Sequence, residues 1–179
     1  MAKQFIGIKN IWYADSISAI TGEALSGLEV KTLLADASTT KVTNLHQDTW
    51  GYAEDDASVT DYINELTGLV YYKDVTQAGA VTISFTLGEY AYADKAALQG
   101  GTSTATSWNR GGIANIDKCI IAQTKTGNYI VFPKASILGK GNFVEKNIGL
   151  GISAVAMETG VTGLAAEVWF DQTEVEDAA

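Results

Sequence analysis

The sequence predicts a mainly β fold: two antiparallel sheets packed as a sandwich or flattened barrel, with one short flanking helix near residues 89–99. Segments in which apolar and polar residues alternate recur along the chain, and residues 81–87 are the clearest of them. The 18 glycines and the single proline indicate turns built by glycine and small polar residues. The length of 179 residues predicts one domain that spans residues 1–179.

The N-terminal half supplies five strand candidates. Residues 3–13 are rich in Phe, Ile, Trp and Tyr, and in residues 28–34 leucine and valine recur on one face of an extended chain. Residues 59–63 and 69–72 follow. In residues 81–87 the apolar side chains point one way and the Ser and Thr side chains the other, which indicates one buried and one polar face.

One helix is predicted, at residues 89–99. Alanine and leucine dominate this segment and favour a helix. Tyr90, Ala93 and Ala97 share one face, so this side can pack on a sheet. The glycine pair 100–101 then ends the helix, because glycine readily adopts the left-handed conformation that follows a last turn.

The C-terminal third returns to strands. Residues 117–124 and 128–132 flank a Gly-Asn turn and predict a hairpin. Residues 148–157 and 164–170 predict two further strands, since their apolar residues alternate. Residues 171–179 form an acidic tail that we expect to be disordered when free.

Residues 35–58 differ in character from the strands around them. They are polar, with an acidic run at residues 54–56. This composition predicts a polar arm or extended hairpin, and an ordinary pair of surface loops is the alternative.

The charge balance disfavours nucleic-acid binding. Twelve Lys and Arg stand against 21 Asp and Glu, with a net charge of −9, whereas nucleic-acid binders usually carry a basic patch. Charged residues make up only 18% of the chain. A surface partly covered by other subunits is one interpretation of this low fraction, and ordinary variation in composition is the alternative. Residues 1–13 do not resemble a signal peptide, and no apolar run approaches a membrane span. We therefore expect no membrane partner.

No motif points to catalysis. One histidine, His46, and one cysteine, Cys119, cannot build a Cys/His zinc cluster within the chain. The sequence contains neither a Gly-x-Ser-x-Gly elbow nor a phosphate-binding glycine loop. The run at 54–56 lacks the spacing of a calcium loop. We expect a non-enzyme without catalytic residues, cofactor or metal, although the spacing leaves paired carboxylates for glycoside hydrolysis open.

Several stretches share a pattern of strand, short helix, hairpin and long final strand pair. Residues 84–90 read Ser-Phe-Thr-Leu-Gly-Glu-Tyr and lead into the helix and glycines at 93–101. Residues 126–135 read Thr-Gly-Asn-Tyr-Ile-Val-Phe-Pro-Lys-Ala, and residues 147–154 read Asn-Ile-Gly-Leu-Gly-Ile-Ser-Ala. With Lys-Asn-Ile-Trp at 9–12, this pattern resembles the major tail tube proteins of bacteriophages, a family that shares its fold with the type VI secretion tube protein.

The resemblance implies two packed β-sheets with a flanking helix, in subunits that form hexameric rings. The rings stack into a hollow tube through which phage DNA passes without specific binding, and a long arm bridges each ring to the next. Residues 35–58 fit that arm, so deleting residues 37–56 should abolish tube formation and leave a soluble fold. The candidate inter-ring arm residues are Thr39, Thr40, Lys41, His46, Trp50, Glu54, Asp55 and Asp56.

The implied partners are other copies of the chain, a tail tip or baseplate and a tail terminator, with a sheath and a tape-measure protein as further candidates. The implied location is the virion tail, after synthesis in the bacterial host's cytoplasm. Two other readings stay open: another particle component, such as a tail terminator or decoration protein, and a β-sandwich carbohydrate-binding module.

Overall fold

The structure is a computed structural model and describes residues 2–112 and 114–178. With 43% strand and 12% helix, it confirms the predicted mainly β class. The strands are β1 (Asn10–Asp15), β2 (Thr40–Lys41), β3 (Gly51–Glu54), β4 (Ser58–Asn64), β5 (Leu69–Gln77), β6 (Val81–Leu87), β7 (Thr102–Ser103), β8 (Trp108–Asn109), β9 (Asp117–Gln123), β10 (Tyr129–Val144), β11 (Asn147–Ala156) and β12 (Val168–Phe170). The helices are α1 (Gly27–Ala35), α2 (Tyr92–Gln99) and α3 (Gln172–Glu176).

One large antiparallel sheet forms the body of the fold. Its strands run in the order β2-β1-β9-β10-β11-β6-β3, and β12 pairs with the first part of β10. The register between β9 and β10 shifts between Phe132 and Ala135, where Pro133 has no N–H to give to a ladder. Such a bulge bends a strand. The first part of β10 belongs to one half of the sheet, with β2, β1, β9 and β12, and its second part belongs to the other half, with β11, β6 and β3. Ala135 and Ser136 pair with both β9 and β11 and join the two halves.

The two halves of the sheet enclose one main hydrophobic core. Buried members from the first half include Ile11, Ile120 and Phe132, and those from the second half include Ile83, Phe85 and Leu150. The two predicted sheets are therefore two halves of one continuous sheet. No closed barrel forms within the residues described.

The first half of the sheet is buried on its outer face as well. Cys119 and Ile121 of β9 share a second core there with Val30 of α1 and Val175 of α3. Residues 119–123 consequently form an unbroken buried run instead of an alternating one, as expected for a strand covered on both faces.

Residues 28–34 lie in helix α1, so the strand predicted there is wrong. Ser26 and Glu29 form a capping box, in which the Glu29 N–H donates to Ser26 Oγ at 3.3 Å and the Ser26 N–H donates to the Glu29 carboxylate at 2.9 Å. The backbone N–H groups of Ser26 and Thr21 lower the pKa of Glu29 to about 2. The Ser-x-x-Glu pattern is a helix start signal, and here it decides against the short apolar alternation.

The acidic tail was expected to be disordered, but residues 172–176 form helix α3. Val175 is 1% exposed and lies in the second core. The Glu176 carboxylate accepts hydrogen bonds from the Tyr129 hydroxyl at 3.1 Å and from Gln123 Nε2 at 3.0 Å. One buried apolar side chain and one bonded carboxylate therefore attach a segment whose composition alone favours solvation.

Most predicted strands are confirmed with changed bounds. β4, β5, β6, β9 and β11 lie where the alternation predicts them. The strand predicted at 3–13 begins at Asn10, and the one predicted at 164–170 keeps only Val168–Phe170. The strand predicted at 128–132 is β10, which continues through Pro133 and two glycines to Val144.

The predicted helix is confirmed as α2, although it begins at Tyr92. Leu98 is fully buried in the main core, and Gly100 ends the helix with φ of +83°. The end of α2 lies close to β10: a Cβ added to Gly139 would lie 2.3 Å from the carbonyl oxygen of Leu98. Glycine at this position therefore allows the helix to pack directly on the sheet.

We expect Gly139→Ala to lower the free energy of unfolding by roughly 1–3 kcal/mol, because the added methyl group must push α2 away from β10. Urea denaturation followed by tryptophan fluorescence measures this change. Gly141→Ala is the matched control, since a Cβ there meets no heavy atom within 4 Å. Equal stability of the two variants would contradict the close helix–sheet contact.

Candidate assembly surface

The predicted arm, residues 35–58, does not form a hairpin of its own. Its two strands pair with different partners at the two ends of the strand order, β2 with β1 and β3 with β6. Between them, the Val42 N–H donates to the Ile11 carbonyl at 2.9 Å, and the His46 N–H donates to the Thr86 carbonyl at 2.8 Å. The segment therefore crosses from the first half of the sheet to the second and connects them.

This placement changes the expected effect of a deletion. Removal of residues 37–56 would take away both end strands and Trp50, which packs against the main core. We therefore expect that deletion to destabilise the fold, where the sequence alone predicted a soluble domain. The inter-ring role assigned to this segment stays a prediction for its exposed residues.

Thr39 and Thr40 hold the start of the segment in place. The Thr39 hydroxyl donates to the Leu33 carbonyl at the end of α1, at 2.6 Å. Thr40 pairs with Tyr13 of β1. Both threonines are half-buried, so their contacts serve the chain's own fold.

Lys41, His46 and Trp50 line a groove of about 620 Å³ beside β1. Lys41 Nζ lies 5.6 Å from the centre of the Trp12 ring, which gives a cation–π contact. His46 Nε2 lies 4.0 Å from a carboxylate oxygen of Glu145. The structure thus brings three of the eight candidate arm residues to one groove.

The acidic run lies at the opposite end of the strand order from β2. Glu54 pairs with Val81, and the Asp55 N–H donates to the Ala80 carbonyl at 2.9 Å. The side chains of Glu54, Asp55 and Asp56 are exposed. They lie at the base of the next hairpin along the chain. The acidic run is therefore separate from the groove that Lys41, His46 and Trp50 line.

That next hairpin, β4 and β5, carries nine of the 17 large apolar residues that are exposed in the part of the chain described. We call residues 58–77 the projecting hairpin. Among the described residues its two strands pair only with each other. Its exposed large apolar residues are Val59, Tyr62, Ile63, Leu66, Leu69, Val70, Tyr71, Tyr72 and Val75. Their exposed fractions run from 44% at Tyr62 to 96% at Leu66.

Both faces of the projecting hairpin carry exposed apolar residues. Val59 pairs with Val75, and two residues along the strand Asp61 forms an ion pair with the Lys73 ammonium group at 3.4 Å. Tyr62 and Tyr72 are cross-strand partners whose ring centres lie 5.6 Å apart. A two-stranded hairpin is marginally stable on its own in water, so any surface that covers this hairpin would stabilise it.

A second exposed apolar site lies at the end of the β10–β11 hairpin; we call residues 140–150 the distal tip. Phe143 and Ile148 are cross-strand partners and are 72% and 66% exposed. They continue the strand face that carries Ile137 and Ile152 in the main core, but they lie beyond the point where the core ends.

Alternation predicted the strands of the projecting hairpin but not their exposure. The usable signal was the run Leu69-Val70-Tyr71-Tyr72, which puts apolar residues on both faces of one strand. Such a run is typical of a strand buried on both faces, and a neighbouring molecule can supply that burial as well as the same chain.

The remaining chemistry of the described residues is sparse. Within 2–112 and 114–178, no group of three or more His, Cys, Asp or Glu could hold a metal ion. None of the helices described is long and apolar enough to cross a membrane.

Cys119 is fully buried, and burial raises the pKa of its thiol to about 12. We expect no reaction with a thiol reagent at pH 8 in the native state, because the reactive thiolate is scarce and shielded. Labelling should become complete in denaturing urea. Rapid labelling of native protein would contradict the burial of this side chain.

No family model matches the chain, and no curated protein is similar enough to it to count as a match.

Proposed function

We propose that this chain is a non-enzymatic structural subunit that assembles with copies of itself into rings, which stack into the hollow tail tube of a phage or phage-derived particle. The observation that carries this proposal is the projecting hairpin, which exposes apolar residues on both faces and is not covered by the rest of the described chain. The pattern of strand, short helix and long final strand pair supports the same assignment through its resemblance to tail tube proteins.

The energetics favour a permanent partner for this hairpin. Covering one large apolar side chain is worth roughly 1.5–3 kcal/mol. Nine such residues are exposed on one 20-residue segment, 58–77. Monomeric proteins rarely expose contiguous apolar surface on this scale, which therefore supports a subunit that functions within an assembly.

A carbohydrate-binding module is less well supported, since sugar sites usually rely on freely exposed aromatic rings. Trp50 packs on the main core, and Trp108 lies under the Lys95 ammonium group at 4.2 Å. Trp169 is 42% exposed, but its ring lies against Phe5 and Tyr52. The projecting hairpin does expose Tyr62, Tyr71 and Tyr72, but six of its nine exposed large apolar residues are aliphatic and offer a sugar ring nothing to stack on. Exposed tyrosines mixed with aliphatic residues suit a protein contact.

The charge of the subunit suits a conduit for DNA. A net charge of −9 repels phosphates, so DNA can pass without being held. In this assignment the ends of the tube contact a tail tip or baseplate and a tail terminator. A sheath and a tape-measure protein are further candidate partners. The subunit resides in the virion tail.

Negative-stain electron microscopy of the purified chain over a range of concentrations tests the proposal. Hollow filaments of stacked rings are the expected result. Single rings that never stack would instead indicate a tail terminator. Monomers at every concentration, even with a tail-tip extract as nucleus, would contradict the proposed function.

A further inference from the structure

We propose that the projecting hairpin of one copy of this chain docks on the distal tip of the next copy, so that subunits join head to tail along the strand direction of the second half of the sheet. The inference rests on the proposed function, because it assumes that the covering partner is a second copy.

The two surfaces lie at opposite ends of the same strands. The projecting hairpin follows Glu54 and precedes Val81 in the chain. These two residues pair at the N-terminal end of β6. At the other end of β6, Leu87 pairs with Leu150, beside the distal tip. The seven residues of β6 separate these ends by roughly 20 Å, at about 3.3 Å per residue.

Each of the two surfaces exposes apolar residues that the other surface could cover. The projecting hairpin exposes apolar residues on both faces, and the distal tip has the apolar pair Phe143 and Ile148 beyond the end of the core. A second copy placed along the strand direction would bring its hairpin, including Tyr71, to the tip of the first. The neighbour would then cover Phe143 and Ile148 in the way that the subunit's own core covers Ile137 and Ile152.

The charges of the two surfaces are also complementary. The projecting hairpin carries three carboxylates and one lysine, and residues 54–56 add three carboxylates at its base. The distal tip carries Lys140, Lys146 and one glutamate, Glu145. Glu145 already accepts a hydrogen bond from Gln47 Nε2 at 3.2 Å within the subunit. The two exposed lysines are therefore available to face an acidic neighbour, which favours the hairpin–tip pairing over a hairpin–hairpin pairing.

The tip is held in a defined shape. Val144 and Asn147 are paired, so Glu145 and Lys146 alone form the turn, with φ of +45° and +69°. Positive φ at both turn residues is the type I′ geometry that suits the twist of a tight hairpin. Because the hairpin and the tip are different surfaces, their contact is heterologous, and a repeated heterologous contact that does not close generates a filament.

Site-directed cross-linking tests the pairing. Tyr71→Cys and Phe143→Cys are made in separate full-length chains, mixed under assembly conditions and treated with a short bis-maleimide. Cys119, the only native cysteine, is buried and gives a silent background. We expect a cross-linked dimer that contains one copy of each variant. Tyr71→Cys mixed with Ser38→Cys, an exposed position at the end of α1, is the control and should yield no dimer.

A complementation experiment covers the case in which the cysteine variants assemble poorly. Tyr71→Asp places a charge in the exposed apolar surface of the projecting hairpin and leaves the distal tip unchanged. Phe143→Asp places a charge in the distal tip and leaves the hairpin unchanged. Each variant alone should need about tenfold or more protein to form filaments. The mixture should form a one-to-one complex by light scattering, since each variant still carries one intact half of the contact.

The outcomes separate this inference from the proposed function. Filaments of the wild-type chain without the Tyr71–Phe143 cross-link would overturn the pairing and leave the tube assignment standing. Filaments of Phe143→Asp at the wild-type concentration would overturn the pairing as well. A wild-type chain that forms no assembly would overturn the proposed function and this inference together.

Discussion

A chain in which residues 57–78 are replaced by Asn-Gly is expected to fold normally and to lose the ability to assemble. Asp55 and Ala80 are hydrogen-bonded across the base of the hairpin, so a two-residue turn can rejoin the chain there. No residue of the removed segment belongs to either core. Circular dichroism and thermal unfolding report on the fold, and sedimentation velocity with electron microscopy reports on assembly.

Two companion variants sharpen this experiment. Replacing Leu69, Tyr71 and Val75 by Thr keeps residues that favour strands and removes apolar surface, so it should also prevent assembly. Thr60→Ser alters an exposed polar residue of the same hairpin and should assemble like the wild type. Normal filaments from the shortened chain would show that the projecting hairpin plays no part in assembly.

Phe132→Ala is expected to lower the free energy of unfolding by roughly 3–5 kcal/mol, the largest effect we expect from a single substitution. Phe132 is 0% exposed and lies in the main core, beside the bulge at which β10 passes between the two halves of the sheet. The truncation leaves a cavity that the close-packed surroundings fill only in part. Urea denaturation of dilute protein measures the loss.

Phe143→Ala provides the matched control, since it makes the same change on the same strand at a side chain that is 72% exposed. Its effect on the unfolding of the isolated subunit should stay within about 0.5 kcal/mol. The same variant should weaken assembly, because Phe143 lies in the distal tip. A loss of subunit stability equal to that of Phe132→Ala would place Phe143 in a core that the structure does not contain.

Local patterns predicted those parts of the fold in which apolar and polar residues alternate along a strand. β6 alternates strictly and was predicted residue for residue, and the glycine pair at 100–101 marked the end of α2. The alternation at 28–34 was misleading, because a capping box at Ser26 and Glu29 acts through backbone hydrogen bonds that an apolar pattern does not report.

The remaining differences come from tertiary contacts. β10 continues past Pro133 because the bulge there accommodates a residue that cannot donate to a ladder. α3 forms because Val175 packs into an apolar site on the outer face of β9. No local feature of the acidic tail predicts this contact. The sequence likewise indicated strands at 59–63 and 69–72, but whether a strand's apolar face is covered by its own chain depends on where the sheet places it.

Because β10 contributes hydrogen bonds to both halves of the sheet, neither half can open without disturbing a strand that the other half needs. The subunit should therefore unfold in a single cooperative transition, and its slowest amide hydrogen exchange should cluster around residues 129–138. A pull applied at one edge strand would pass through this shared strand to the opposite edge, so the subunit should behave mechanically as a single rigid block.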